Sequence, residues 1–289
     1  MMKPLSRKKR QIYLGALVVI FLGAIPLLML YATGYRINSA FAVFKTGGIL
    51  VQNQLSGTDI LLNGKLVKTT NLFQRSIFLD NLKPGVYSIE AQKDGYQSWK
   101  QKLAVLPEQV SQTAVFILPK QVEINEVTSF IISTSTVTTS ESGTTTSVEK
   151  VKTFKSSNPD YAKVKMIFEN PLLASTTRIF QKVHIGYTKN ELLVKWAGLS
   201  EDTPQNLCSI ERCFIESKFP ISGIRDLDFY PGRSDVVVVS GGSDIYAKQI
   251  DARDAPPLQK IYHGTAPSFR LDSEVIYIRD QGHYFKIEL

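Results

Sequence analysis

The sequence predicts an all-β ectodomain carried on a single N-terminal transmembrane helix, and three observations predict it. An uninterrupted apolar stretch, Ile12 to Thr33, stands directly behind Arg7-Lys8-Lys9-Arg10. Beyond it the chain runs in short segments rich in Val, Ile, Tyr, Phe and Thr, broken by Gly, Pro, Asn and Asp, with hardly any helical periodicity. Its last portion, from about residue 160 to 289, holds three β-patterned units at near-regular spacing.

A helix rises about 1.5 Å per residue, so roughly 20 apolar residues cross a hydrocarbon core of about 30 Å, and the first stretch is long enough. Tyr13 at one end and Tyr31 and Tyr35 at the other are placed for the headgroup level. Gly15, Gly23 and Pro26 are tolerated there because the backbone stays hydrogen-bonded within the helix. Residues 1 to 36 hold six Lys or Arg and no acid, five of them before the span. Residues 1–10 therefore read as a cytoplasmic basic tail in which Arg7, Lys8, Lys9 and Arg10 set the topology, 11–35 as the anchor, and all that follows as extracytoplasmic. Ala40-Phe41-Ala42 has the small-x-small pattern of a signal-peptide cleavage site. The apolar run exceeds the roughly 7–15 residues of a signal core, and that site lies far beyond its end, so the anchor reads as retained. Of 34 Lys and Arg against 26 Asp and Glu, removing those six leaves 28 against 26, a net of +2. The basic balance is thus a topology signal, and no nucleic-acid partner is expected.

The exterior begins with strands read at Gly48–Asn53, Thr58–Leu62 and Ser76–Leu79. Asn63-Gly64 gives a strong hairpin signal, since both residues take positive φ readily. In Leu82-Lys83-Pro84-Gly85, Pro presets one turn position and Gly frees the next. From Val86, the alternation of Tyr87, Ile89 and Ala91 against Ser88, Glu90 and Gln92 describes a strand with one buried face. Asp94-Gly95 turns the chain, and Trp99–Val105 and Val110–Leu118 complete six or seven strands.

These residues carry a resemblance. Asn81-Leu82-Lys83-Pro84-Gly85-Val86-Tyr87, then Lys93-Asp94-Gly95-Tyr96, then Trp99, then Phe116-Ile117-Leu118 resemble a PEGA domain over residues 46–120. Gln54-Leu55-Ser56-Gly57-Thr58 departs from the Ser-Pro-x-Gly-Ala run expected of that family. The resemblance implies a small β-sandwich, generally non-catalytic, serving as spacer or adhesive module. Tyr87, Tyr96 and Trp99 are expected in the core rather than on a sugar-stacking platform, because small sandwiches need large buried aromatics.

Between Ser133 and Ser147, twelve of fifteen residues are Ser or Thr. Such a stretch buries too little apolar surface to offset its entropy, so 121–159 reads as a linker, with a Thr-rich edge strand as the alternative. In 160–289 the units are Phe180–Trp196, Ile224–Ile250 and Pro267–Leu289. Aligning Leu193, Val237 and Ile276 gives spacings of 44 and 39 residues, near the roughly 40–45 of a β-propeller blade. Three units are fewer than the usual 4–8 blades, so the region reads as propeller-like repeats whose open edges invite self-association into a homo-oligomer.

Chemistry is sparse. Cys208 and Cys213, four residues between them, are a disulfide candidate in an oxidising exterior, worth about 2 kcal/mol locally. No further Cys or nearby His completes a metal set. His184, His263 and His283 are scattered, and no nucleophile elbow, zincin pair, P-loop or dinucleotide fingerprint occurs. Gly241-Gly242-Ser243-Asp244 reads as a turn, and Asp226 and Asp228 as solvated or turn-capping carboxylates on one strand face, with calcium as the alternative. No catalytic, cofactor or metal residue is predicted. The expectation is a non-catalytic, single-pass protein of the cell membrane whose exterior modules bind or scaffold a cell-wall polymer or surface protein. An ectodomain sensor working through a membrane partner and a degenerate propeller hydrolase or lyase stay open as alternatives.

Overall fold

The computed structural model of the protein describes residues 6–37, 41–128, 130–134, 152–156, 159–170, 176–209, 212–254 and 256–288. These residues are mostly β-structure and fall into two compact units, Met1–Gln92 with Lys100–Phe116, and Lys93–Trp99 with Ile117–Leu289.

In the first unit, helix α1 (Arg7–Ala32) is long and apolar enough to cross a membrane, and none of its residues is buried. Its 26 residues reach about 39 Å. The helix ends at Gly34, whose φ of +84° is the left-handed conformation that closes many helices. Thr33 N and Oγ1 donate to Met29 O at 2.9 and 2.8 Å. A short hairpin follows, β1 (Tyr35–Ile37) against β2 (Val43–Lys45). Thr46 then returns to the helix end, donating from both N and Oγ1 to Gly34 O at 3.0 Å.

Seven further strands make two sheets: β3 (Gly47–Gln52), β4 (Asp59–Leu62), β5 (Lys65–Thr69), β6 (Ser76–Leu82), β7 (Gly85–Gln92), β8 (Trp99–Val105) and β9 (Val110–Ala114). One has the order β6-β3-β9, with β3 and β9 parallel; the other has the order β5-β4-β7-β8. Asn63 and Gly64, at φ +51° and +78°, form the β4–β5 turn. Ile49, Val51, Ile60, Ile77, Ile89, Ala91, Leu103 and Val105 are buried, as period-2 alternation requires of a half-covered sheet. Thr113 Oγ1 donates to Gln101 Oε1 at 2.5 Å and Ser111 Oγ to Ala104 O at 2.6 Å, so β9 is hydrogen-bonded across to β8. The loop 53–58 is organised by the buried Thr70, whose Oγ1 accepts from Thr58 N and donates to Leu55 O.

The second unit holds three four-stranded sheets among the described residues. In the first, β13 (Thr177–Phe180), β14 (Val183–Tyr187), β15 (Glu191–Trp196) and β16 (Glu216–Pro220) are ordered in sequence. The second likewise runs β17 (Ile224–Phe229), β18 (Val236–Gly241), β19 (Asp244–Gln249), β20 (Gln259–His263). The third contains β21 (Ser268–Asp272), β22 (Val275–Asp280) and β23 (His283–Glu288), and takes its fourth strand from far upstream, β10 (Asn125–Glu126). First strands start at 177, 224 and 268, spacings of 47 and 44 residues. The alignment by sequence is corrected in its first unit: Leu193 lies in the third strand of its sheet, whereas Val237 and Ile276 lie in the second.

Two features depart from the composition-based reading. Residues 121–159, read as linker, contribute β10 and a hairpin of β11 (Phe130–Thr134) with β12 (Lys152–Ser156); the tract from 135 to 151 lies outside the described residues. Helix α2 (Pro159–Glu169) was not anticipated. It buries Val164, Ile167 and Phe168 against Val127 and Tyr277, with Tyr161 edge-on to Tyr284 at 5.7 Å. A larger apolar cluster joins the first two sheets, including Ile185, Leu192, Trp196, Leu207, Phe229, Val237 and Val239.

Candidate functional site

The second unit carries a cleft of about 410 Å³ between β16 and the loop after β19, lined by Phe214, Glu216–Phe219 and Asp251–Asp254. Four consecutive residues of one strand border it. Alternate side chains point to opposite faces, so a run of four marks the strand's edge, not one face, as the wall. β16 is the last strand of its sheet, and no strand pairs with its outer edge among the described residues. Ile215 O accepts from Trp196 N at 2.7 Å and Ile221 N donates to Asn190 O at 3.0 Å, both towards β15. By antiparallel alternation Ser217 and Phe219 also bond to β15, while Glu216 and Lys218 turn their N–H and C=O groups into the cleft.

The walls are fixed by local chemistry. Cys208 and Cys213 are joined, with sulfurs 2.01 Å apart, and Phe214 N donates to Leu207 O at 2.9 Å. Leu207 is 2% exposed within the apolar cluster, so the bridge and this bond hold Phe214 at the cleft. Opposite, Arg253 grips Asp251 through Nε to Oδ1 at 2.9 Å and Nη2 to Oδ2 at 2.6 Å, and its backbone N–H adds a third bond at 2.9 Å. This charge-assisted fork is buried on the Asp251 side, which is 1% exposed. Asn206 ties the loop down, donating to Ile250 O and accepting from Ala252 N. Behind the wall Lys248, 8% exposed, sets its ammonium 5.7 Å from the centre of the Phe219 ring, and burial lowers its pKa. Ser217 Oγ is buried without a hydrogen-bond partner. Such an orphaned group costs about 1–3 kcal/mol. The rim pairs Lys195–Glu216 at 3.2 Å and Lys218–Glu191 at 3.8 Å are exposed and worth little individually.

A second polar group lies where the first strands of the sheets meet. Arg178 of β13 pairs with Asp228 of β17 at 3.1 Å, and Arg270 of β21 with Asp226 of β17 at 2.6 Å. Asp226 and Asp228 do share a strand face, but each is engaged by an arginine, and no group of three or more metal-ligating side chains occurs among the described residues. Tyr187 donates to Arg225 O at 2.5 Å; burial, then the Asp226 carboxylate, push its phenol up. The cluster ties sheets to one another through these two ion pairs, while Arg270 Nε stays buried without a hydrogen-bond partner.

The remaining residues singled out by sequence are dispersed. Arg7, Lys8, Lys9 and Arg10 are exposed in the first turns of α1. His184, His263 and His283 sit on three different sheets; His263 pairs with Asp244 and His283 with Glu126, each at 2.9 Å. Gly241–Asp244 is the tight β18–β19 turn. Trp99 is 1% exposed and donates from Nε1 to Gln249 Oε1 at 2.8 Å, while Tyr87 and Tyr96 are half-buried. The cleft itself was missed in the sequence: only its cysteines were marked, and a free edge is a property of pairing, which no local pattern reports. The chain matches no protein-family model and no curated protein.

Proposed function

We propose that this is a non-catalytic, single-pass protein of the cell envelope, its basic tail cytoplasmic, whose extracytoplasmic β modules hold another envelope protein. In this reading the first unit is a PEGA-like β-sandwich, and the three sheets of the second are propeller-like blades. The observation that carries the binding role is the cleft along β16. Backbone N–H and C=O groups at Glu216 and Lys218, turned away from β15 on an edge that no strand covers among the described residues, match the periodicity of an extended polypeptide, so the occupant is a strand added to the sheet edge. Phe214 and Phe219 offer it an apolar floor, and the Asp251–Arg253 fork a rigid far wall.

The test uses the full chain in its membrane. A benzophenone side chain replaces Glu216 and is photo-activated in cells, with products identified by mass spectrometry. The expected result is one dominant protein adduct, abolished by Lys218→Pro. Proline at 218 removes an N–H directed away from β15, so the sheet's own ladder survives. An adduct unchanged by Lys218→Pro, or retention on wall polymer alone, overturns the strand-addition reading.

A further inference from the structure

The hairpin that follows α1 has an unusual distribution of side chains. Ile37 and Val43 lie directly opposite one another and so share a face; they are 63% and 58% exposed. Phe41, beside them, is 88% exposed and held at φ +56°, a left-handed conformation that costs a bulky side chain energy. No packing among the described residues repays that strain. Towards the hairpin's base the same face changes character: Tyr35, then Lys45, whose ammonium lies 5.0 Å from the Tyr35 ring centre and bonds Glu108 at 2.6 Å.

The hairpin is also folded against the helix. Arg36 Nη1 donates to Tyr31 O at 2.8 Å and to Tyr35 O at 2.9 Å, its guanidinium stacks 3.8 Å from the Tyr31 ring centre, and its other nitrogen bonds Asn81 Oδ1. With Thr46 bonded to Gly34, the hairpin is fastened at both ends of its base. Four residues lie between Ala32 and Ile37, a reach of at most about 18 Å, and the bond from Arg36 to Tyr31 O keeps Ile37 beside the end of α1.

Resting on the membrane-spanning reading of α1, we propose that the β1–β2 hairpin is a lipid-docking element. Ile37, Phe41 and Val43 enter the outer headgroup and upper acyl region, Tyr31 and Tyr35 sit at the interface, and Arg36 and Lys45 lie at its polar level. Along this face the apolar pair Ile37–Val43 gives way to the aromatic and charged pair Tyr35–Lys45, a change that follows the polarity gradient of a bilayer surface. A lipid surface is the occupant because the patch is continuous with the helix and too small for a stable protein interface. Docking fixes the attitude of the first unit to the membrane instead of leaving it tethered by one chain.

The full chain is reconstituted in vesicles of phosphatidylcholine, with and without lipids brominated high on the acyl chain or near its end, and one tryptophan is added at a time. The native Trp99 and Trp196 give a constant buried background. Phe41→Trp is expected to show blue-shifted emission lost to the high bromines, Leu22→Trp within α1 to be quenched by the deep ones, and Phe73→Trp, on a 99% exposed site in the β5–β6 loop, to be unquenched. A Leu22→Trp signal lost with Phe41→Trp untouched overturns the docking while the span stands. Equal quenching at 41 and 73 also overturns it, as unspecific adsorption. An unquenched Leu22→Trp removes the spanning reading, and the docking proposal with it.

Discussion

At the scale of single residues, Lys248 is the most informative side chain, because the residue is 8% exposed, its ammonium lies over an aromatic face, and no acid pairs with it among the described residues. Burial lowers its pKa in the folded protein, so the unfolded chain holds the proton more tightly. The cost is therefore present at neutral pH and is relieved as pH rises through the folded value towards the ordinary lysine value of about 10.4. Lys248→Met, similar in volume and uncharged, is expected to stabilise by about 1 kcal/mol at pH 7. Thermal unfolding should show this as roughly 2–4 °C, the gap from the parent narrowing as the pH approaches 10. A variant less stable than the parent at pH 7 would mean that the contact with Phe219 outweighs desolvation.

Among elements, β3 is crowded at Gly47. A Cβ built there meets the carbonyl oxygens of Leu106 and Gln109 and the Val105 side chain. Backbone oxygens cannot swing aside as a flexible side chain does, so Gly47→Ala is expected to cost about 1–3 kcal/mol as overpacking. Denaturant unfolding with an unchanged m-value is the check. Most strands of this unit were legible in sequence, since Asn63-Gly64 and Asp94-Gly95 announce their turns and Ile89 and Ala91 their face. The β13–β14 turn was not. It uses Gln181 and Lys182, at φ +46° and +66°, where glycine or asparagine is the usual signal, so β13 merged with its surroundings and the first repeat was displaced by one strand. Helix α2 hid for a different reason: its eleven residues are too few for a strong 3.6 period. Pro159 at its first position, Asp160 in its first turn and the spacing of Tyr161, Val164 and Phe168 are nonetheless the marks that identify it. Of the cleft, only the Cys208–Cys213 pair was visible, because β16's free edge and the Asp251–Arg253 fork exist only once sheets have formed.

For the whole molecule, the proposed topology rests on charge next to one apolar helix. Replacing Arg7, Lys8, Lys9 and Arg10 together by Glu leaves Arg36 as the nearest cation on the other side and is expected to invert the chain. Protease added to intact cells should digest the β units of the parent and spare those of the variant; digestion of both would show that the tail does not set orientation. The two faces of the second unit are finished differently. α2 covers Tyr277 and Tyr284 on the last sheet, while the outer rows of β15 and β16 carry the pairs Lys195–Glu216 and Lys218–Glu191.

The pairing of β10 with β23 sets a timetable for the chain. Asn125 lies opposite Lys286 and Glu126 opposite Phe285, so partners emerge from synthesis about 160 residues apart. β10 therefore lacks its partner in the third sheet until β23 has been synthesised, and must wait with its ladder unmade. Closing so long a loop costs entropy that only the completed sheet returns, which makes this the slow step of assembly and the stage most exposed to chaperones and proteases.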